Sequence, residues 1–291
     1  MSSATIDHRD AIVAKAIQEI STIATLPEIT LKIIDLVEDP TSTAQDLHQV
    51  ITNDPALCSR ILKVVNSSFY GLPGQIGSIN RGIVLLGLNA VKNIAIATSL
   101  TKLFRAGDLS EHLSARDIWI NATGLAAASK KIAEKAGVGF SDEAFLAGLL
   151  ANIGIMVEMQ ALRDKLIEVV ETNSQTNRPF LELEEEYIGA THEDFGRALC
   201  EKWKFPKSFG FVTGFRHHPL DLPAENRMLA CIVNLADHMA KKLSIGFTAT
   251  VPGEDPDPAI LEEVRITQED YDEILEGLPE NVETVQAVLG G

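Results

Sequence analysis

Apolar residues recur at three- and four-residue spacing along nearly the whole chain, and alternating stretches rich in β-branched residues are scarce. The pattern predicts an all-α fold. Asp54-Pro55 sets a capping carboxylate before a proline at a first helical position. Leu57, Ile61, Val64 and Val65 then share one face until Asn66-Ser67-Ser68 breaks the helix. Ser42-Thr43-Ala44-Gln45 has the form of a capping box. Ser78 opens a segment to Leu86, Gly87 interrupts it, and helix resumes from Asn89 to Phe104.

Ser114 is expected to cap a long helix ending near Gly137, and Ser141 the next one. Thr191-His192-Glu193-Asp194 marks a further start, Pro206 begins a helix that Pro219 ends, and the last core helix runs from about Ala224 to Leu243. Short connections favour one compact multi-helix bundle. The clearest boundary is VPGEDPDP, Val251 to Pro258, beyond which one or two short helices are expected, including Glu269 to Leu275.

One stretch of this pattern raises a chemical question. From Ala144 to Val157 fourteen residues carry no charge, and Asn152 is their only polar side chain. An amide buried without partners costs a few kcal/mol, so Asn152 is expected to face polar groups inside the fold.

Composition narrows the function classes. A 291-residue chain with 45% hydrophobic residues supports a large core as a soluble protein. The N-terminus lacks a basic region followed by an apolar run, and apolar stretches look interrupted before the length of a span, so neither secretion nor membrane insertion is expected. Cys58, Cys200 and Cys231 form no C-x-x-C pair and read as buried thiols of a cytoplasmic protein. The net charge of -16 disfavours nucleic acid as a partner. Residues 249 to 291 hold twelve acidic residues against Arg265 alone. That tail reads as a solvated acidic surface, with a docking role as the alternative.

Six polar positions could converge on a pocket: Asn121, Asn152, His192, His217, His218 and Asp237. His192 lies in a first helical turn, which favours neutral imidazole, and His217-His218 close a helix, which favours imidazolium. Asp237 falls beside the apolar stripe of Leu229, Ile232, Val233, Ala236 and Ala240, so it needs a partner. His238, on the far side of that stripe, is expected in solvent, and His8, His48 and His112 receive no role. Neutral imidazoles and a carboxylate suit Zn, Fe or Mn, but these four side chains have no short ligand motif to fix their geometry.

The order of motifs resembles the HDOD family, the HD-related output domains of bacterial signalling proteins. The resemblance runs from about Ile20 to Leu243: LPEITLKIIDLVEDPTSTAQDLHQVITNDPALCSRILKVVNSSFYG, then SINRGIVLLGLNAVKNIAI, IWINATGLAAASKKIA and DEAFLAGLLANIG, then THEDFGRALCEKWKFPKSF, FRHHP and CIVNLADHMA. It implies an HD-like bundle with an N-terminal helical subdomain. The divisions expected are a 1–19 extension, a domain at 20–248 split near 110, and the 249–291 tail. HD enzymes bind metal through an adjacent His-Asp pair, and the resemblance places that pair at Ala151-Asn152, with Asn121 at an upstream histidine and His192, His217, His218 and Asp237 at later ligand positions.

Without the pair, two-metal hydrolysis is not expected. The implied function is a non-catalytic regulatory module for a protein partner and, in some form, a small ligand, with no cofactor. No receiver, PAS or GGDEF domain is expected alongside it, so the input would arrive by association. The alternative is a phosphohydrolase acting on a nucleotide or cyclic dinucleotide through a single metal on His192, His217, His218 and Asp237.

Overall fold

The computed structural model describes residues 3–20, 27–39, 41–101, 104, 109–110, 112–253 and 255–289. All regular structure among them is helical, apart from one isolated bridge between Ser110 and Leu113. In chain order the helices are α1 Ser3–Glu19, α2 Glu28–Glu38, α3 Ala44–Thr52, α4 Pro55–Val65, α5 Ile79–Leu86, α6 Leu88–Leu100, α7 Ala115–Lys135 and α8 Ser141–Leu150. There follow α9 Ile153–Ala161, α10 Arg163–Thr176, α11 Phe180–Tyr187, α12 His192–Lys202, α13 Lys207–Phe215, α14 Ala224–Lys242, α15 Pro258–Val264 and α16 Gln268–Leu289. A short 3-10 turn, Pro219–Asp221, separates α13 from α14.

Local chemistry explains most of the starts. Asp54, Ser78, Ser114 and Thr191 each accept a hydrogen bond from a backbone amide of the first turn, and Ser114 and Thr191 do so in reciprocal boxes with Asp117 and Asp194. Two expected caps differ. The box of α3 is Thr43 with Asp46, one residue late, because Ser42 is taken by other partners: its hydroxyl donates to the Leu36 carbonyl and accepts from Lys92. Ser141 is the first helical residue of α8 rather than its cap.

The helices share one continuous core. α7 and α8 pack along each other at its centre, α6 joins the α2–α5 layer to α8, and α9, α12, α13 and α14 enclose the other side. Gly148 permits the α7–α8 approach, since a Cβ there would stand 2.5 Å from the Leu125 carbonyl oxygen. α1 reaches across to α9 and α12, where Arg9 pairs with Glu185 and Asp194.

Four expectations need correction. The segment Ser141–Ala161 is long and apolar enough to cross a membrane, but 89% of its most apolar window is buried inside the bundle and the helix breaks in the middle. The acidic tail is not only a solvated surface: Tyr271, Leu278 and Val285 of α16 are fully or almost fully buried, against α7 and α4. One short helix, α15, lies there as expected, but Glu269 to Leu275 belongs to a 22-residue helix, because the apolar residues continue at helical spacing through Pro279. Cys58 is half-buried, whereas Cys200 and Cys231 are buried with thiols pushed up to about 12 by desolvation.

Candidate functional site

The charge-free stretch is two helices, α8 and α9, meeting at Ala151-Asn152. A helix break inside a core leaves carbonyl groups without intrahelical partners. Here the Ala151 carbonyl accepts from Nη1 of Arg216 at 2.6 Å. Gly154, just beyond the break, lets the start of α12 approach: an added Cβ would lie 1.9 Å from the His192 carbonyl oxygen. Gly154 thus brings the start of α12 against the break.

Arg216 is the centre of the site, and its side chain is fully buried. Nε donates to Asp237 Oδ2 at 2.9 Å, Nη2 donates to Asn152 Oδ1 at 2.5 Å, and the same Nη2 lies 3.1 Å from His192 Nε2. Asn152 completes its amide by donating from Nδ2 to Asn121 Oδ1 at 2.6 Å, and Asn121 donates onward to the Ile245 carbonyl at 3.0 Å. A buried charge needs a counter-charge and hydrogen-bond acceptors; Asp237 supplies the first and the Ala151 carbonyl, Asn152 and His192 the others, while Asp237 Oδ1 is left without a partner.

A second line of polar groups runs away from the guanidinium. His192 Nδ1 lies 2.8 and 2.9 Å from the two oxygens of Glu184, which assigns the proton to Nδ1 and leaves Nε2 as the acceptor for Arg216. His217 Nε2 is 3.2 Å from the same Nε2, and its Nδ1 lies 3.8 Å from Asp237 Oδ2. Burial, then the Arg216 charge, hold the His217 pKa well below the usual range, so it is neutral and not the imidazolium that its helix-end position suggested. Behind Glu184, Glu158 is completely buried, with no donor near either oxygen. Desolvation and the Glu184 charge raise its pKa well above a carboxylate's, so it carries a proton.

The structure therefore unites Asn121, Ala151, Asn152, His192, His217 and Asp237, with Ala151 contributing its carbonyl. His218 does not join them. It is exposed, because the backbone turns at this residue into the Pro219–Asp221 turn. His238, expected in solvent, is buried at 4%, since α14 is covered on both sides, by α7 and α8 and by α13 and α15.

Sequence reasoning missed Arg216, Glu184 and Glu158. A signal existed for the first: Phe209, Val212 and Arg216 repeat at i, i+3 and i+7 and define the inward face of α13 and its end.

These residues do not fit the metal that HD enzymes carry. The proposed ligand carboxylate, Asp237, and the Asn152 amide oxygen are turned onto a permanent cation, and His192 points its free nitrogen at the same cation. A guanidinium cannot give up its proton to make room for a metal of like charge. Among the described residues, no group of three His, Cys, Asp or Glu is placed to hold a metal ion.

The HDOD domain model matches residues 23–219. The chain belongs to the HDOD family. An HDOD domain protein from Geobacter sulfurreducens superposes with a TM-score of 0.81 at 21% identity, covering 97% of this chain and 99% of that one. A Shewanella amazonensis SB2B protein named as a candidate phosphohydrolase gives 0.74 at 20% identity, over 96% and 98% of the two chains. A Marinobacter aquaeolei VT8 protein named as a candidate signal transduction protein gives 0.75 at 21% identity, over 97% and 65%. At these identities the likeness is one of fold. An uncharacterized Treponema pallidum (strain Nichols) protein is 24% identical over 227 residues, and those cover 78% of this HDOD chain but only 44% of the relative's length.

Proposed function

We propose that this HDOD chain is a non-catalytic signal-transduction module that works by binding a protein partner, together with a small ligand, and transmitting a change in its helical packing. The observation that supports it is the seat of Arg216. Hydrolysis by HD enzymes needs a metal-activated water beside a bridging carboxylate. Here the bridging position is the amide of Asn152, the adjacent position is Ala151, and Asp237 and His192 hold a guanidinium. The overall negative charge supports a protein or small-molecule partner over nucleic acid.

The test is turnover of bis(p-nitrophenyl) phosphate with added Mn2+, Fe2+ or Zn2+. Rates equal to those of the metal ion in buffer are expected. Metal-dependent turnover that His192→Ala abolishes would overturn the reading.

A further inference from the structure

Two clefts meet at the start of α8. One, about 290 Å³, runs from the α5–α6 joint, where Leu86 and Leu88 line it, to Phe140 and Glu143. The other, about 460 Å³, runs from the same Phe140 and Glu143 to Phe211 of α13 and to Met228 and Leu229 of α14. Because they share two residues, they form one groove, and Leu86, Leu88, Phe140, Phe211 and Met228 are each only half-buried along it. The apolar surface continues on α5, where Val84 is 73% and Leu85 37% exposed in the last turn of the helix. Exposed apolar surface of this extent marks an interaction site.

The charges along the groove are unequal. Glu225 is exposed and has no ion-pair partner among the described residues, and Glu143 uses one oxygen, Oε1, to accept from the Ser208 hydroxyl at 2.8 Å. Against these two carboxylates, Lys207 is the one cation among the described residues along either cleft, and Asp142 is already paired with Lys130 at 2.5 Å. On a chain of net charge -16, this groove selects a partner that brings cations as well as apolar groups. Its walls are helices, and no strand edge lies along them among the described residues. An extended segment would find no ladder there, whereas a helix satisfies its own backbone and needs only apolar anchors. Asn93, 9% exposed in the smaller cleft, has a side-chain amide with no hydrogen-bond partner among the described residues, so it is available to a polar side chain of the occupant.

We propose that this groove is where the protein partner docks, and that the partner enters it as an amphipathic helix with apolar anchors on successive turns and Lys or Arg beside them. The inference rests on the non-catalytic reading and supplies the partner's chemistry. The anchors would cover Phe140, Phe211 and Met228, and the cations would meet Glu143 and Glu225. The groove also shares its helices with the buried cluster: Arg216 follows directly on α13, Asp237 lies on α14, and their 2.9 Å contact ties the two together.

The probe is a synthetic amphipathic helix of leucine and lysine, titrated calorimetrically into the full chain, with a leucine and glutamate helix of the same pattern beside it. One saturable site is expected for the lysine peptide, at least tenfold tighter than for the glutamate peptide. Phe211→Ser and Leu88→Ser should each weaken it at least fivefold, and Glu225→Lys at least tenfold with melting unchanged. Glu168→Lys, the same change of charge at an exposed position of α10, should leave the affinity as it was. Absence of a saturable site, equal losses in Glu168→Lys and Glu225→Lys, or tighter binding of the glutamate peptide overturns the proposal. Indifference to Leu88→Ser overturns the single groove. Self-association of the chain that Phe211→Ser abolishes would give the groove to a second copy and overturn the proposal as well. Metal-dependent phosphodiester turnover would remove the non-catalytic reading while leaving this titration unaffected, so the two failures are distinguishable.

Discussion

Arg216 introduces a positive charge that burial cannot remove, because guanidinium stays protonated at any pH a protein survives. Its cost is offset by Asp237 and by three further acceptors. Truncation to Arg216→Met would leave the Asp237 charge and the Ala151 carbonyl buried without donors, and about 3 to 5 kcal/mol of stability should be lost in denaturant titrations. A loss below about 1 kcal/mol would show that water reaches the site. Glu158 makes a second prediction. Its folded pKa is raised, so above the unfolded value near 4.5 the unfolded chain releases a proton that the folded chain keeps. Stability must then fall as pH rises from there through the folded pKa, by up to about 1.4 kcal/mol per pH unit. Glu158→Gln should remove that slope; an identical pH profile in the variant would refute the buried proton. Asn152 and Asp237 were legible in sequence as polar residues in apolar surroundings. Arg216 was not, because a long cationic side chain at a helix end ordinarily reads as solvent-facing, and its spacing from Phe209 and Val212 was a slight signal against that reading.

Among the elements, the break between α8 and α9 carries the site. A continuous helix would keep the Ala151 carbonyl for itself, and Gly154 would not present a bare backbone to His192. Gly154→Ala should destabilise by about 3 kcal/mol or more, since both obstructing groups are backbone. Gly210→Ala, with open space around it, is the control and should change stability by less than about 1 kcal/mol. Equal effects would mean that α9 and α12 separate easily. The capping motifs were readable because each is local. The break was not, because neither Ala151 nor Asn152 is a strong helix breaker, and the partner that stabilises it is sixty-five residues away in sequence.

For the whole molecule, α16 ties the acidic C-terminal segment to the bundle. It packs on α7 and α4, places Lys63 on the Ala287 carbonyl at 2.8 Å, and pairs Lys135 with Asp270 at 3.1 Å. Its charge pattern suggested a detached acidic tail, while its apolar face, Tyr271, Leu278, Val282, Val285 and Leu289, is what the core uses. Deleting residues 266 to 291 should therefore lower the melting temperature by several degrees or more, through apolar surface newly exposed on α4 and α7. Unchanged melting would return the tail to the role of a free docking arm. The all-α class and the order of helices were legible because period and caps repeat along the chain. The position of the tail depends on a surface formed by two distant helices.

The central claim is that a side chain, not a metal, is the cation of this site. Metal content by plasma mass spectrometry, on untagged protein incubated with Zn2+, Fe2+ and Mn2+ and then desalted, tests it most directly. The account predicts well below one equivalent of any of the three. Near-stoichiometric metal that disappears in both His192→Ala and Asp237→Ala would contradict it.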